Sequence, residues 1–268
     1  MVLEHVKDAA DLVILCCHGV YNGKDFTDPF TESRWVLLSY QKGDPPWYQA
    51  HMRHAIERTS ANPKSVLVVS GGQTRFEGGQ ISESGSYWKI LESLGWNGHP
   101  EVKQRATTEE FATDSFQNLL FGICRYREVV GRYPEHIEVV TWAFKSERFD
   151  LHRAALRWPV DRFSFAGIGY PDARSVAEEG ENRVLQLFRA DPYGVGSVLA
   201  LKRAARNPFR RQHGYCFSCP EIRALLEHSG SQIFPGKLPW NSNQSMNSSA
   251  VPEAVSATSL GAKEVAVP

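Results

Sequence analysis

The chain has 268 residues, 42% of them hydrophobic, and its 30 basic side chains balance 30 acidic ones. That is ample for one sizeable core, and a net charge of zero speaks against a nucleic-acid binder, which ordinarily carries a basic excess. No stretch approaches the roughly 18–20 apolar residues of a membrane span, the opening MVLEHVKDAADLVILCC lacks the basic start of a secretory signal, and an odd number of cysteines argues against a disulfide framework.

The expectation is therefore a soluble, cytoplasmic protein of a reducing compartment, with no membrane and no nucleic-acid partner. Along the chain, residues 12–17 (LVILCC) form a continuous apolar run, as a central parallel strand covered on both faces requires. A polar stretch rich in Gly, Asp and Pro follows, interrupted by Trp35-Val36-Leu37-Leu38. A helix is predicted from Pro46 to just before Asn62-Pro63, then a strand at 65–70 that runs into Ser70-Gly71-Gly72. A helix at 82–94, a short strand at 101–106 and a long helix at 108–130 ending at Gly131 come next. Residues 136–141 (HIEVVT) and 163–169 (FSFAGIG) read as further strands, with helices at 146–157 and 174–189. This alternation predicts an α/β fold, a mainly parallel sheet with helices on both faces, over residues 1–190. Past Asp191 the pattern breaks, and 191–230 reads as a small helical appendage packed on the sheet. Residues 231–268, rich in Ser, Asn, Ala and Pro, read as a disordered tail.

Ligands of such sheets sit beyond the carboxyl ends of the strands, so the segments just past the strands are the candidate chemistry. The first strand ends in Cys17-His18-Gly19, whose imidazole and backbone could face a ligand. The second ends in Ser70-Gly71-Gly72-Gln73-Thr74-Arg75, where glycines would let the backbone approach an anion and Arg75 would pair with it. The segment matches neither a Walker loop nor the dinucleotide fingerprint. Glu83 falls in the first turn of its helix behind Ser82, a natural cap, or else binds a hydroxyl, an amine or a metal. Glu110, Asp114 and Asn118, at intervals of four with Ser115 beside them, would share a helix face as a ribose, metal or general-base site, or form a solvated stripe. Lys145 and Arg148 sit past a strand end near a helix start, where cations call for an anion or a carboxylate partner. The basic patch Lys202-Arg203, Arg206 and Arg210-Arg211 reads as solvated surface. His213-x-x-Cys216-x-x-Cys219 is half a zinc motif with no second pair, so no metal is expected.

Three blocks, in order, resemble a known family. They are the strand into Ser70-Gly71-Gly72 with Ser82-Glu83 after it, the segment Glu110 through Asp114-Ser115 to Asn118, and the strand ending at Thr141 followed by Lys145 and Arg148. Together they are similar to the domain of unknown function numbered 218, typified by the bacterial SanA, ElyC and YdcF proteins, over roughly residues 10–170, with the look of a fungal-type member. Departures are Cys17-His18-Gly19 in place of a Gly-rich turn, Lys145 where the family often has His, and the region 171–230. The resemblance implies a Rossmann-like fold whose strand-end cleft takes a small ligand of nucleotide type, with S-adenosylmethionine as one candidate cofactor. On that basis Gly71, Gly72 and Arg75 would hold an anionic part. Glu110, Asp114 and Asn118 would bind hydroxyls or poise a base, and Lys145 and Arg148 would stabilise an oxyanion. A transferase, a hydrolase and a binding module without turnover all remain open, as do the ligand's identity and the oligomeric state.

Overall fold

The computed structural model describes residues 4–170 and 174–241, with side chains omitted for 174–176. Its centre is a five-stranded sheet in which every neighbouring pair is parallel. In chain order the strands are β1 (Asp11–Cys16), β4 (Ser65–Ser70), β5 (Ala106–Glu109), β6 (His136–Thr141) and β7 (Phe163–Gly167). A two-stranded antiparallel ribbon, β2 (Val20–Tyr21) with β3 (Trp35–Val36), lies between β1 and β4 in the chain. The spatial order is β5-β4-β1-β6-β7. The chain thus builds outward from β1 to β5, then crosses back to lay β6 against the other side of β1. That reversal opens a crevice between the carboxyl ends of β1 and β6.

Alternation along each strand assigns its two faces. Leu12 and Ile14 of β1, Val66 and Val68 of β4 and Val139 of β6 point into one core, with Leu119 and Ile123 of α3 (Ser115–Val130) and Phe149 of α4 (Ser146–Ala155). Val13, Leu15, Leu67 and Val140 point into the other, against Met52 and Ile56 of α1 (Pro45–Ala61) and Ile90 and Leu91 of α2 (Glu83–Ser93). This is a Rossmann-like α/β sheet covered on both faces. Four further helices follow among the described residues: α5 (Arg174–Ala190), α6 (Ser197–Ala205) and the short α7 (Tyr215–Ser218) and α8 (Arg223–Leu226).

Three sequence expectations shift. The strand expected at 101–106 is a 3₁₀ turn, Pro100–Arg105, and the strand follows it at Ala106–Glu109, paired with Leu67 through Ser70. The long helix does not begin at 108, because Thr107 and Thr108 are held in that ladder. It begins at Ser115, where the Asp114 carboxylate accepts the Gln117 amide at 2.9 Å as an N-cap. Glu110, Asp114 and Asn118 therefore do not form one helical stripe. The first part of the expected tail is packed: Leu238 and Trp240 are buried, and the Trp240 indole donates to the Leu156 carbonyl at 2.8 Å. The rest of that expectation, residues 242–268, lies outside the described residues.

Candidate functional site

A cavity of about 530 Å³ opens at the β1/β6 crevice, within the range of small-molecule sites. Its floor is the end of β1, Cys16, Cys17 and His18. Burial pushes the Cys16 thiol up to about 12, with Cys17 raised as well, so neither is a ready nucleophile at neutral pH. His18 packs against His51, Tyr48 and Trp142, with its Nε2 3.3 Å from the Thr141 hydroxyl. Burial, aided by Lys145, His51 and Arg148, holds His18 well below its ordinary value, so the imidazole is neutral.

On the β4 side, Thr74, Arg75 and Glu83 line the wall. The Thr74 hydroxyl donates to the Glu83 carboxylate. Arg75 is 8% exposed. Its terminal nitrogens reach the Thr74 carbonyl at 3.2 Å and Gln41 Oε1 at 3.4 Å, and its Nε has no partner. The glycines expected to cradle an anion do something else. The Gly71 amide donates to the Glu109 carbonyl and the Gly72 amide to the Ala112 carbonyl, at 3.0 and 2.8 Å. Their own carbonyls accept the Ser84 and Glu83 amides that open α2. Neither glycine lines the cavity, and their role is close approach: a Cβ on Gly72 would lie 2.7 Å from the Ala112 oxygen. Ser70 also sits behind the wall. Its hydroxyl donates to Glu109 at 2.7 Å, and Asn118 Nδ2 donates to its carbonyl at 3.1 Å, so Ser70 braces Asn118, which does line the cavity. Gly19 packs against Trp35 and Leu37, away from the opening.

The start of α3 contributes Asp114 and Ser115. Burial pushes the Asp114 carboxyl up, but Arg203 of α6, 2.7 Å away, and the Gln117 amide outweigh burial and hold it below the usual range. A carboxylate that is ion-paired and capping a helix is a poor general base, and Asp114 lines the cavity in that engaged state. Ser115 Oγ lies 2.8 Å from His152 Nε2, inside a ring of Phe116, Phe149 and Phe188. Burial holds His152 down to about 3, and it is not on the cavity wall. Glu110 points elsewhere and accepts from Ser82 and Thr108, at 3.1 and 3.0 Å. The catalytic part expected of it is not available at this cavity.

Past β6 stand Lys145 and Arg148. Arg148 is engaged: its Nε and a terminal nitrogen grip both oxygens of Glu181 on α5, the Nε at 2.9 Å. Lys145 has no such partner among the described residues. Burial, then the Arg148 charge, draws its ammonium down to about 7 against the pull of Glu181. Lys202 and Arg206 of the α6 region close the rim. Burial, Arg206 and Arg148 draw Lys202 down to about 8, and Arg206 donates to the Thr113 carbonyl at 3.2 Å.

Six cationic and four anionic side chains thus line one cavity. Arg148 is matched by Glu181, Arg183 by Glu179, and Asp114 by Arg203. Arg75, Lys145, Lys202 and Arg206 have no carboxylate oxygen within 4.0 Å among the described residues. Sequence reasoning did not place Lys202 and Arg206 here. Their charge-run context resembles solvated surface, and only the docking of α6 over the start of α3 turns them inward.

Fold and cavity together define a Rossmann-like α/β protein with a cation-rich crevice at the point where strand order reverses. The chain is similar to Uncharacterized protein YOR238W of Saccharomyces cerevisiae, 24% identical over 300 residues that take in 88% of this chain and 99% of the yeast protein. No protein-family model matches the chain, and no solved structure does. No helix among the described residues is long and apolar enough to cross a membrane.

Proposed function

We propose that this protein binds a small polyanionic ligand of phosphate-ester or nucleotide type in the β1/β6 crevice. The observation that carries the reading is the group of cations without carboxylate partners among the described residues, Arg75, Lys145, Lys202 and Arg206, around one cavity. Clustered cations at low dielectric repel one another, and an anion among them relieves that repulsion. The same charge balance weighs against S-adenosylmethionine, whose sulfonium is a cation. The resemblance to the family numbered 218 implies a nucleotide-type ligand, which accords with a phosphate-bearing one.

A second reading, a transferase or hydrolase acting on the bound ligand, draws on Lys145. An amine held at about 7 beside the cavity is suited to serve as a base or nucleophile. The plainer alternative is a binding module without turnover.

Titration calorimetry with ADP, inorganic pyrophosphate and S-adenosylmethionine tests the reading. The first two should bind, more weakly as salt rises, and Lys202→Ala with Arg206→Ala should abolish their binding. Binding of S-adenosylmethionine with no response to either phosphate compound would overturn it. Release of phosphate or transfer from a phosphoester panel, lost in Lys145→Met, would favour the enzyme over the module.

A further inference from the structure

Resting on the phosphate-binding reading, we propose that the ligand is a phosphorylated polyol: its phosphate lies against Lys145, Lys202 and Arg206, and its hydroxyls lie against Glu83 and Arg75 across the same cavity. The topology separates these two walls. Lys145 follows β6 and Glu83 follows the turn after β4, and these strands flank β1 on opposite sides. Neighbouring strands are about 4.8 Å apart, so the walls stand on the order of 10 Å apart over the β1 floor. Their electrostatic weight follows the same division: Lys145 and Arg148 are the main charges acting on Cys16, with Glu83 a smaller one, and Glu83 is the main charge acting on its neighbour Cys17.

The β6 and α6 wall is purely cationic once Arg148 is matched by Glu181. The β4 wall is mixed. Glu83 is 7% exposed, and only the Thr74 hydroxyl is bonded to its carboxylate; no cation lies within 4.0 Å of it among the described residues. Arg75 is as deeply buried, its Nε is unpartnered, and one of its two contacts is stretched to 3.4 Å. An under-bonded carboxylate and an under-bonded guanidinium that do not touch each other select the group that satisfies both. A second phosphate on this wall would face Glu83, and an ammonium would face Arg75. A hydroxyl donates to Glu83 and accepts from Arg75 with no charge conflict. Asn118 adds an acceptor. The Ser70 carbonyl can only accept, so Nδ2 must face it, and Oδ1 is left with no protein donor among the described residues.

Calorimetry on the full chain with ribose 5-phosphate, inorganic phosphate and O-phosphoethanolamine decides the matter. Ribose 5-phosphate should bind about tenfold or more tightly than inorganic phosphate, as one or two charge-assisted hydrogen bonds imply. Glu83→Gln should remove most of that advantage and leave the affinity for inorganic phosphate unchanged. Glu83→Ala carries the same test if Glu83→Gln fails to fold, and the preference of the native protein decides by itself if neither variant folds. Equal affinity for ribose 5-phosphate and inorganic phosphate in the native protein overturns the polyol assignment and leaves the phosphate reading standing. So does a preference for O-phosphoethanolamine, or an equal loss of both affinities in the variants. No binding of any of the three compounds overturns both.

Discussion

Lys145→Met should make the unliganded protein more stable and the liganded protein weaker. Methionine keeps the length of the lysine stem and removes its charge. The folded state holds the Lys145 ammonium at about 7, whereas an unfolded chain leaves it near the ordinary value of about 10.4. A base lowered in the folded state opposes folding wherever the unfolded chain is protonated and the folded one is not. That penalty is absent above about 10.4, grows as pH falls, and is complete once pH has dropped through about 7. At pH 7 the linkage sets an upper limit of about 4 kcal/mol. Lys145 is only half-buried and borders an open cavity, so water screens much of this, and about 1–2 kcal/mol is the expected gain. For a chain of this size that raises Tm by about 2–8 °C. Thermal unfolding at pH 7 and at pH 10, with and without 10-fold steps of pyrophosphate, measures both halves. The variant should melt higher than the native protein at pH 7, by a smaller margin at pH 10, and should lose the stabilisation that pyrophosphate gives the native protein. A variant that melts lower at pH 7 and retains the pyrophosphate response would refute the idea that Lys145 is strained in place for an anion.

Asp114→Ala should act on stability before it acts on binding. It removes a helix cap worth about 1 kcal/mol and strands Arg203, a group whose side chain is 17% exposed, for a total loss of about 3–4 kcal/mol. A double-mutant cycle with Arg203→Met by urea unfolding should return a coupling of about 2 kcal/mol, and additivity would show that the pair is incidental. Because the Asp114 carboxyl is held low in the folded state, its contribution is complete above the ordinary carboxylate range and fades as pH falls through the lowered folded value, so the cycle belongs at pH 6 or above. Glu109 behaves in the opposite sense. Burial, only partly offset by Ser70, the Phe111 and Ala112 amides and Tyr215, raises it to about 7. Its contribution is complete below the ordinary glutamate value and is lost as pH rises through about 7, a swing of about 3 kcal/mol. A carboxyl carbon resonance followed by NMR should titrate near neutrality, and one that titrates near 4 would remove that swing. Gly72→Ala should cost about 1–3 kcal/mol through its clash with the Ala112 carbonyl, 2.7 Å from the added Cβ; a neutral effect in a denaturant melt would show that the loop after β5 can shift freely.

The strands that form the centre of the sheet were legible because a parallel strand buried on both faces carries a near-continuous apolar run. Residues 12–17 are apolar throughout and 66–69 are apolar through the body of their strand, while 136–141 shows the pattern through Ile137, Val139 and Val140, with Glu138 between them paired to Arg58 at 2.9 Å. The edge strand Ala106–Glu109 is four residues long and half-exposed, so its residues joined the helical pattern that follows, and the helix was drawn seven residues too early. That single shift created the false stripe of Glu110, Asp114 and Asn118. Gly71 and Gly72 mark a close approach correctly, but a sequence does not show which acceptor takes a glycine's amide. Here the carbonyls of Glu109, the last residue of β5, and of Ala112 just past it occupy the positions assigned to an anion. Lys202 and Arg206 illustrate the converse. Their local context is that of a solvated run, and their meaning comes from α6 being tied to the start of α3 through Arg203–Asp114 and Arg206–Thr113. The cavity's charge is thus set by two regions far apart in the chain, the strand ends that shape the crevice and a C-terminal helix that closes it. On the proposed reading, ligand affinity and the docking of α6 are linked quantities. A change that loosens the Arg203–Asp114 tie should then weaken anion binding through Lys202 and Arg206, and a bound anion should in turn stabilise the docking of α6.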